Sequence, residues 1–223
     1  MRSKRAITLS LFHDEAPSAT KRQELAEGAT ILRGFALPDE TPIVAALREI
    51  TSAAPFRNMV TPGGYRMSVA MTNCGALGWI SDRIGYRYQP IDPESGETWP
   101  AMPPVFSSLA ARAATEAGYP EFRPDGCLIN QYEPGAKLSL HQDKDERDFA
   151  QPIVSVSLGI PAVFLFGGLK RSDKTQRIPL THGDVVVWGG PSRLRYHGVL
   201  SLKEDVHSLF GNRRVNLTFR KAA

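Results

Sequence analysis

The chain has 223 residues, a formal net charge of +4 at pH 7 and 42% hydrophobic residues. These values are typical of one globular domain with a full core, and they exclude a low-complexity or fibrous chain. Its two cysteines, Cys74 and Cys127, form neither a disulfide framework nor a zinc-binding pattern. We therefore expect a protein of the reducing cytoplasm, whose mild positive charge favours polyanionic partners such as nucleic acid.

The longest uncharged stretch, residues 149–169, has the length of a membrane span but not its composition. Pro152 and Pro161 interrupt it, and its β-branched residues favour buried strands. Residues 1–12 begin with charges as a signal peptide does, but their apolar run is short. We expect no export and no membrane partner, with residues 1–25 as a flexible arm and residues 26–223 as a single domain.

Two amphipathic segments predict helices in the first half of the chain. Thr41 is a candidate N-cap with Pro42 in the first turn, and Pro55 ends the segment. A second helix is predicted from Pro103 to Gly118, where a left-handed C-terminal cap is expected. We expect both helices to pack on a sheet.

The region between the helices and the region after them differ in composition. Residues 56–99 combine Gly, Pro, aromatic residues and interleaved arginines, which is typical of a structured loop system or a binding lid. From residue 125 onward, short strand-like runs alternate with Gly and Pro, as in an antiparallel sandwich or jelly roll. The sequence therefore predicts a mainly β, α+β fold with a lid at about 55–100 and a catalytic core at about 125–223.

Two H-x-D motifs compete as pairs of metal ligands. In the first, strand alternation places Ser139, His141 and Asp143 on one face. An imidazole and a carboxylate on one face are two of the three ligands used by 2-His-1-carboxylate Fe(II) oxygenases. In the second, Gly183 precedes a buried-strand pattern, which favours a turn with Asp184 capping backbone amides. The first motif is therefore the better metal candidate.

The third ligand is best supplied by His197, which lies in a strand-like run. His13 falls in the predicted arm and His207 in a polar loop, so neither is placed as well. Two imidazoles and one carboxylate would complete the 2-His-1-carboxylate arrangement, in which the metal keeps open coordination positions.

The C-terminal run of residues 214–220 alternates strictly between apolar and polar side chains. Its polar face carries Arg214, Asn216, Thr218 and Arg220. Two guanidinium groups on the inner face of a barrel strand are unfavourable unless an anion meets them, and the guanidinium fork matches a carboxylate. An exposed edge strand is the alternative, but a dicarboxylic cosubstrate explains the pattern better.

Neighbouring runs supply smaller polar side chains for the same pocket. Asn130 and Tyr132 share one face, and Ser155 and Ser157 are small enough to leave room beside them. Each residue alone is compatible with an ordinary hydrogen bond in the core. Together they indicate a polar pocket inside a β shell.

Three stretches, residues 59–65, 130–145 and 214–220, resemble the AlkB family of 2-oxoglutarate- and Fe(II)-dependent dioxygenases. The resemblance extends from about residue 28 to residue 220. The sequence departs from bacterial members at Gln131 and Val215 and by extra residues at its N-terminus. The resemblance implies a double-stranded β-helix (jelly-roll) core with N-terminal helices and a nucleotide-recognition lid.

The resemblance also implies Fe(II) as cofactor and 2-oxoglutarate and dioxygen as cosubstrates. The implied iron ligands are His141, Asp143 and His197. The implied 2-oxoglutarate ligands are Asn130, Tyr132, Arg214, Asn216 and Arg220. The implied nucleic-acid contacts are Trp79, Tyr86, Arg87, Tyr88, Asp145 and Arg171, with Trp79 against the damaged base.

The implied activity is oxidative demethylation of adenine and cytosine methylated at Watson–Crick nitrogens. It would act as a monomer on single-stranded or locally opened DNA, with RNA as a further candidate, and would release formaldehyde, succinate and carbon dioxide. Two alternatives stay open: a related oxygenase acting on RNA, protein or a small molecule, and a non-catalytic cupin-like protein with structural zinc. Arg214 and Arg220 argue against the second, because a closed zinc site gives them no anion.

Overall fold

The computed structural model describes residues 21–223. Its strands are β1 (Lys21–Ala26), β2 (Ala29–Arg33), β3 (Ala70–Gly75), β4 (Gly78–Asp82), β5 (Gly85–Gln89), β6 (Gly126–Tyr132), β7 (Leu138–His141), β8 (Ile153–Gly159), β9 (Ala162–Phe166), β10 (Gln176–Leu180), β11 (Val185–Trp188), β12 (His197–Val199) and β13 (Arg214–Arg220). Its α-helices are α1 (Glu40–Ala53) and α2 (Pro104–Glu116).

Two antiparallel sheets form the core. The larger has the strand order β1, β2, β11, β8, β13, β6, β3, and the smaller has the order β10, β9, β12, β7. Strands β4 and β5 form a separate hairpin. This arrangement confirms the predicted mainly β fold with a jelly-roll core.

Apart from its outer strand β1, the larger sheet is mostly buried on both faces. Its helix-facing residues share one apolar core with side chains of α1 and α2, such as Ile43 and Phe106. Its other face shares a second core with residues of the smaller sheet, such as Phe164 and Phe166. Polar side chains on that second face therefore point into the space between the sheets, where water is scarce.

The alternation of β13 fits this layering. Val215, Leu217 and Phe219 belong to the core under the helices. The intervening polar residues face the space between the sheets, and they are no more than 6% exposed. The alternative of an exposed edge strand is wrong, because β13 pairs with both β6 and β8.

The helices lie where they are predicted, with one difference at a boundary. Helix α1 begins at Glu40 after Asp39, so the expected N-cap at Thr41 is wrong by two residues. Helix α2 begins at Pro104, and Gly118 adopts the expected left-handed conformation with φ of 96°. None of the helices in the described part of the chain is both long enough and apolar enough to cross a membrane.

Residues 1–20, which include His13 and most of the predicted arm, lie outside the described residues. Residues 21–25 belong instead to β1, which pairs with β2. The side chains of β1 are mostly exposed at the edge of the larger sheet, so its sequence lacks the apolar alternation of a half-buried strand.

The predicted lid is also divided differently by the structure. Strand β3 lies within residues 55–100 but pairs with β6 as an edge strand of the larger sheet. The buried amide of Asn73 in β3 donates to the carbonyl of Trp79 and accepts from its backbone N–H, each at 3.0 Å. The β4–β5 hairpin is thus attached to the core through Asn73.

Candidate active site

The three predicted metal ligands converge between the sheets. Strands β7 and β12 pair so that His141 lies opposite His197, and Asp143 lies two residues beyond the end of β7. Nε2 of His141 lies 3.5 Å from Oδ1 of Asp143, and Nε2 of His197 lies 3.8 Å from Oδ2. One ligand atom from each residue lies within 4.8 Å of the others, so a single ion can contact all three.

Backbone carbonyls orient both imidazole rings. Nδ1 of His141 lies 2.9 Å from the carbonyl of Ser139, and Nδ1 of His197 lies 3.1 Å from the carbonyl of Arg195. A proton on each Nδ1 can be donated to its carbonyl, which leaves the lone pair of Nε2 directed at the shared point. This arrangement is usual for metal-binding histidines.

Burial and neighbouring charges hold the ligands in the protonation states that a cation needs. Burial, and after it the nearby His141, lower the pKa of His197 to about 4. Burial acts to raise the pKa of Asp143, but the charges of Arg220, His197 and His141 outweigh it and keep that pKa far below its usual value. At neutral pH the site therefore offers a neutral imidazole and a carboxylate, as metal binding requires.

Arg214 is a buried cation without a full set of partners. Its Nη2 donates to the hydroxyl of Ser157 at 2.9 Å, and its guanidinium lies over the ring of Tyr132. Within residues 21–223, Nε and Nη1 are buried and have no hydrogen-bond partner. Burial lowers the pKa of Arg214, which shows how little solvation the group receives. A carboxylate in the cavity would satisfy both atoms.

The other predicted cosubstrate ligands lie on the same inner surface. Oδ1 of Asn130 is also buried without a partner in the described part of the chain. The amide of Asn216 is already satisfied, because it donates to Ser155 and to a backbone carbonyl and accepts from Thr218. Thr218 was not singled out as a cosubstrate ligand, although strand alternation placed it on this face.

Arg220 is bonded differently from Arg214. Its Nη2 and Nε both donate to Oδ2 of Asp143, at 2.7 and 3.0 Å, and its Nε lies 3.3 Å from Oε1 of Glu146. Arg193 donates to the other oxygen of Glu146 at 2.9 Å and to the backbone carbonyl of Asp143 at 2.7 Å. Sequence reasoning missed Glu146 and Arg193, because both lie in loops without a periodic pattern.

Two of the predicted nucleic-acid contacts stack on each other in the wall of the site. Trp79 and Tyr86 stack with ring centroids 5.6 Å apart and ring planes 13° apart. Nε1 of Trp79 donates to Oδ2 of Asp145 at 2.8 Å. Trp79, Tyr86, Asp145 and Arg171 all line the same cavity as the three converging ligands.

The remaining two predicted nucleic-acid residues lie elsewhere on the hairpin. Arg87 forms a two-pronged ion pair with Asp82 at 2.7 and 2.9 Å. The hydroxyl of Tyr88 donates to Oε1 of Glu146 at 2.7 Å. Of the residues that the structure describes, those lining the cavity include neither Arg87 nor Tyr88.

The second H-x-D motif forms the predicted turn. Gly183 has φ of 84°, and the buried carboxylate of Asp184 accepts from the backbone N–H groups of Gly34 and Thr181. His182 accepts from the backbone N–H of Gly159 through Nδ1 and lies 2.7 Å from Glu40 through Nε2. Both motif side chains are therefore engaged in structural hydrogen bonds.

One cavity of about 560 Å³ connects these groups. It is lined by the three converging ligands, by Arg214 and by the stacked pair of the hairpin. Gln131 and Val215 are the two positions at which the sequence departs from the bacterial pattern. They pair across β6 and β13 and line a separate, smaller cleft beside α1. Neither residue lines the main cavity.

Comparisons with known proteins agree with this geometry. A model of the 2OG-Fe(II) oxygenase superfamily matches residues 28–220. The alpha-ketoglutarate-dependent dioxygenase AlkB of Escherichia coli is 60% identical over 214 residues, which cover 96% of this chain and 98% of that protein.

Two further similarities are more distant. The DNA N(6)-methyladenine demethylase ALKBH1C of Arabidopsis thaliana is 34% identical over 161 residues, which cover 60% of this chain and 35% of that protein. The solved structure of OsALKBH1 superposes with a TM-score of 0.77 at 30% identity and covers 89% of this chain and 100% of that one.

Proposed function

Because the chain belongs to the AlkB family of 2-oxoglutarate- and Fe(II)-dependent dioxygenases, we propose that it repairs alkylated nucleic acid by oxidative demethylation. The proposed substrates are adenine and cytosine methylated at Watson–Crick nitrogens, and the proposed products are the normal base, formaldehyde, succinate and carbon dioxide. The observation that carries the proposal is one cavity that joins the metal-ligand triad, the unsatisfied Arg214 and the Trp79–Tyr86 stack.

The donor set fits the cofactor and cosubstrate of the family. Two imidazoles and one carboxylate are the ligand set of non-haem Fe(II) oxygenases, and a buried guanidinium with two free donors fits a carboxylate. A structural zinc protein would leave Arg214 without an anion. Membership of a dioxygenase family therefore argues for an enzyme and against the non-catalytic alternative.

When bound, Fe(II) together with 2-oxoglutarate and dioxygen supplies the oxidation that hydroxylates the methyl group. His141, Asp143 and His197 would hold the iron. Arg214 would hold one carboxylate of 2-oxoglutarate, with Arg220 at the end nearer the metal and Asn130, Tyr132 and Asn216 around it. The protein needs no general base, because the hydroxylated methyl group leaves as formaldehyde.

The protein's further contribution is to hold the target base in a dry cavity. Extraction of a base from a stack costs a few kcal/mol, and least where the base cannot pair. A methyl group on the pairing edge therefore favours its own removal, and single-stranded DNA is the preferred substrate. Trp79 would stack on the extracted base, with Tyr86, Asp145 and Arg171 beside it.

We further propose that the enzyme works as a monomer in the cytoplasm without a membrane partner. The observation in favour is that Cys74 and Cys127 are both buried free thiols, which suits a reducing compartment.

The deciding experiment measures formaldehyde released from a methylated single-stranded oligodeoxynucleotide in the presence of ferrous iron. Release that depends on added 2-oxoglutarate supports the proposal. Matched methylated RNA and methylated duplex DNA test the substrate preference. Succinate formation without formaldehyde from any of these nucleic acids would indicate the related oxygenase acting on a protein or small molecule.

A further inference from the structure

A chain of buried hydrogen bonds connects the β4–β5 hairpin to the metal-ligand triad. It starts at the Tyr88 hydroxyl, which donates to Oε1 of Glu146 at 2.7 Å. The same oxygen lies 3.3 Å from Nε of Arg220, and Arg220 donates to Oδ2 of Asp143 at 2.7 Å. The side chain of Glu146 is 2% exposed, so water does not compete for these contacts.

Both oxygens of the Glu146 carboxylate have partners, so a shift of one oxygen changes the contacts of the other partners. Arg193 fixes Oε2 of Glu146 and at the same time holds the backbone carbonyl of Asp143. A buried carboxylate that loses a charged partner is strongly destabilised. Tyr88 and Arg220 therefore share one oxygen atom of a buried anion, and a shift of that oxygen alters both contacts.

The hairpin makes a second contact with the same short segment. Trp79 in β4 lies opposite Tyr88 in β5, and it donates to Asp145, the residue next to Glu146. The carboxylates of the sequence neighbours Asp145 and Glu146 thus accept hydrogen bonds from Trp79 and Tyr88. These two aromatic residues lie opposite each other in the hairpin. A base stacked on Trp79 would therefore shift Asp145 and its neighbour Glu146, whose carboxylate contacts Arg220.

We infer that Glu146 and Tyr88 are positioning residues that couple nucleic-acid binding at the hairpin to 2-oxoglutarate binding at Arg220. This inference rests on the proposed function. Arg220 donates to Asp143, lies 3.3 Å from Glu146 and lines the cavity in which the cosubstrate would lie. A displacement of Oε1 by the hairpin changes the direction of the Arg220 guanidinium, and a carboxylate bound by Arg220 restricts the hairpin in return.

The test measures reciprocal coupling between the two ligands. Dissociation constants are determined without dioxygen and with Mn(II) in place of Fe(II), for a methylated oligonucleotide with and without 2-oxoglutarate, and for 2-oxoglutarate with and without the oligonucleotide. Thermodynamic linkage requires the same factor in both directions. We expect each ligand to tighten the other about fivefold or more in the wild-type protein, which is the lower end of typical coupling.

Tyr88→Phe is the diagnostic variant, because it removes one hydroxyl and leaves Glu146 paired with two arginines. We expect its coupling factor to fall below about twofold. The matched control is Tyr119→Phe, which removes a hydroxyl that donates to the carbonyl of Gly28. A general loss of stability changes all four dissociation constants together, so it does not move the ratio.

Three results would overturn the inference: a wild-type factor of one, a wild-type factor retained in Tyr88→Phe, or an equal loss in Tyr119→Phe. Formaldehyde release is measured on the same preparations with Fe(II) and dioxygen. Release by the wild-type protein together with any of these results rejects the coupling alone. A wild-type protein that releases no formaldehyde from any methylated nucleic acid rejects the proposed function.

Discussion

His141 and His197 use their Nδ1 atoms to fix ring orientation and keep Nε2 for a ligand. His141 is the more accessible of the two, with a side chain that is 34% exposed. Asp143 is less suitable for mutation, because its loss would leave Arg220 buried beside a cavity. Among the three triad residues, His141 is therefore the position at which a metal ligand can be removed with the least damage to folding.

We predict that His141→Ala abolishes formaldehyde release but keeps nucleic-acid affinity within about threefold of wild type, since that affinity is dominated by phosphate contacts. Formaldehyde assays and fluorescence anisotropy at several salt concentrations check both parts. The matched control is His207→Ala, a histidine outside the main cavity, which should retain turnover. Demethylation by His141→Ala would remove this residue from the metal site.

Arg214→Lys should weaken 2-oxoglutarate binding by about 10- to 100-fold, because a lysine cannot reproduce the two free guanidinium donors. Isothermal titration with Mn(II) present measures the change. Arg57→Lys is the control. Arg57 donates through two nitrogens to Asp92, outside the cavity, so this variant loses the same kind of pair away from the cosubstrate site. An unchanged affinity in Arg214→Lys would contradict the placement of the cosubstrate.

Asp184→Ala should lower the free energy of unfolding by about 2–4 kcal/mol, because two backbone N–H groups and Arg33 lose a buried acceptor. Denaturant unfolding measures the loss. Turnover per folded molecule should stay at the wild-type value. A specific loss of turnover in this variant would mean that the second H-x-D motif has a role beyond the turn.

The side chains that sequence analysis finds are those on regular strands. Alternation along β13 correctly separates Arg214 from Val215, and strand-like context correctly brings His197 to His141. Glu146 and Arg193 were missed because loop residues have no period, and only their tertiary partners reveal them. The shared bonding of Arg220 with Asp143 likewise depends on contacts that no local pattern encodes.

At the scale of elements, the β4–β5 hairpin depends on its supports. Trp99 packs against Gly78 so closely that a Cβ at position 78 would lie 2.3 Å from its ring. The indole of Trp99 also donates to the carbonyl of Gln89 at 3.0 Å. Together with Asn73, these contacts fix the start of β4 and the end of β5. Trp79 and Tyr86 then line the cavity.

Trp79→Leu should weaken binding of a methylated oligonucleotide by about 5- to 150-fold, in line with about 1–3 kcal/mol per stacked base. The affinity for 2-oxoglutarate alone should remain that of the wild-type protein. Anisotropy and calorimetry on the same preparation separate these effects. Wild-type nucleic-acid affinity in Trp79→Leu would show that the indole serves packing and not stacking.

Elements with an apolar period are predicted well, and elements without one are not. The periodic faces of α1 and α2 locate both helices, although α1 begins before the expected cap. Strand β1 is mistaken for an arm because its edge position leaves its side chains in water. The sequence does not indicate strand β3, because Asn73 and its neighbours look like loop residues until their partners in β6 and β4 are known.

At the scale of the whole molecule, the metal site links two parts of the smaller sheet that are distant in sequence. Ligand binding to the native state alone stabilises it by about 2.7 kcal/mol at 100 times the dissociation constant. For a chain of this size, that corresponds to a rise in Tm of about 5–10 °C. We predict this rise on addition of Mn(II) and its reversal by a chelator, measured by calorimetry.

The matched variants for this prediction are His197→Ala and His182→Ala. His197→Ala should show no metal-dependent rise, whereas His182→Ala should start from a lower Tm and still rise. An equal rise in both variants would mean that the metal binds elsewhere on the molecule.

One outer strand of each sheet, β1 and β10, carries a feature that discourages strand addition by another molecule. Strand β1 at the rim of the larger sheet presents exposed charged residues such as Lys21 and Glu24. Strand β10 at the rim of the smaller sheet contains Pro179, whose carbonyl accepts a hydrogen bond from Arg33 at 2.8 Å. These two edges therefore resist pairing with a strand of a second molecule, which is the first step of cross-β stacking.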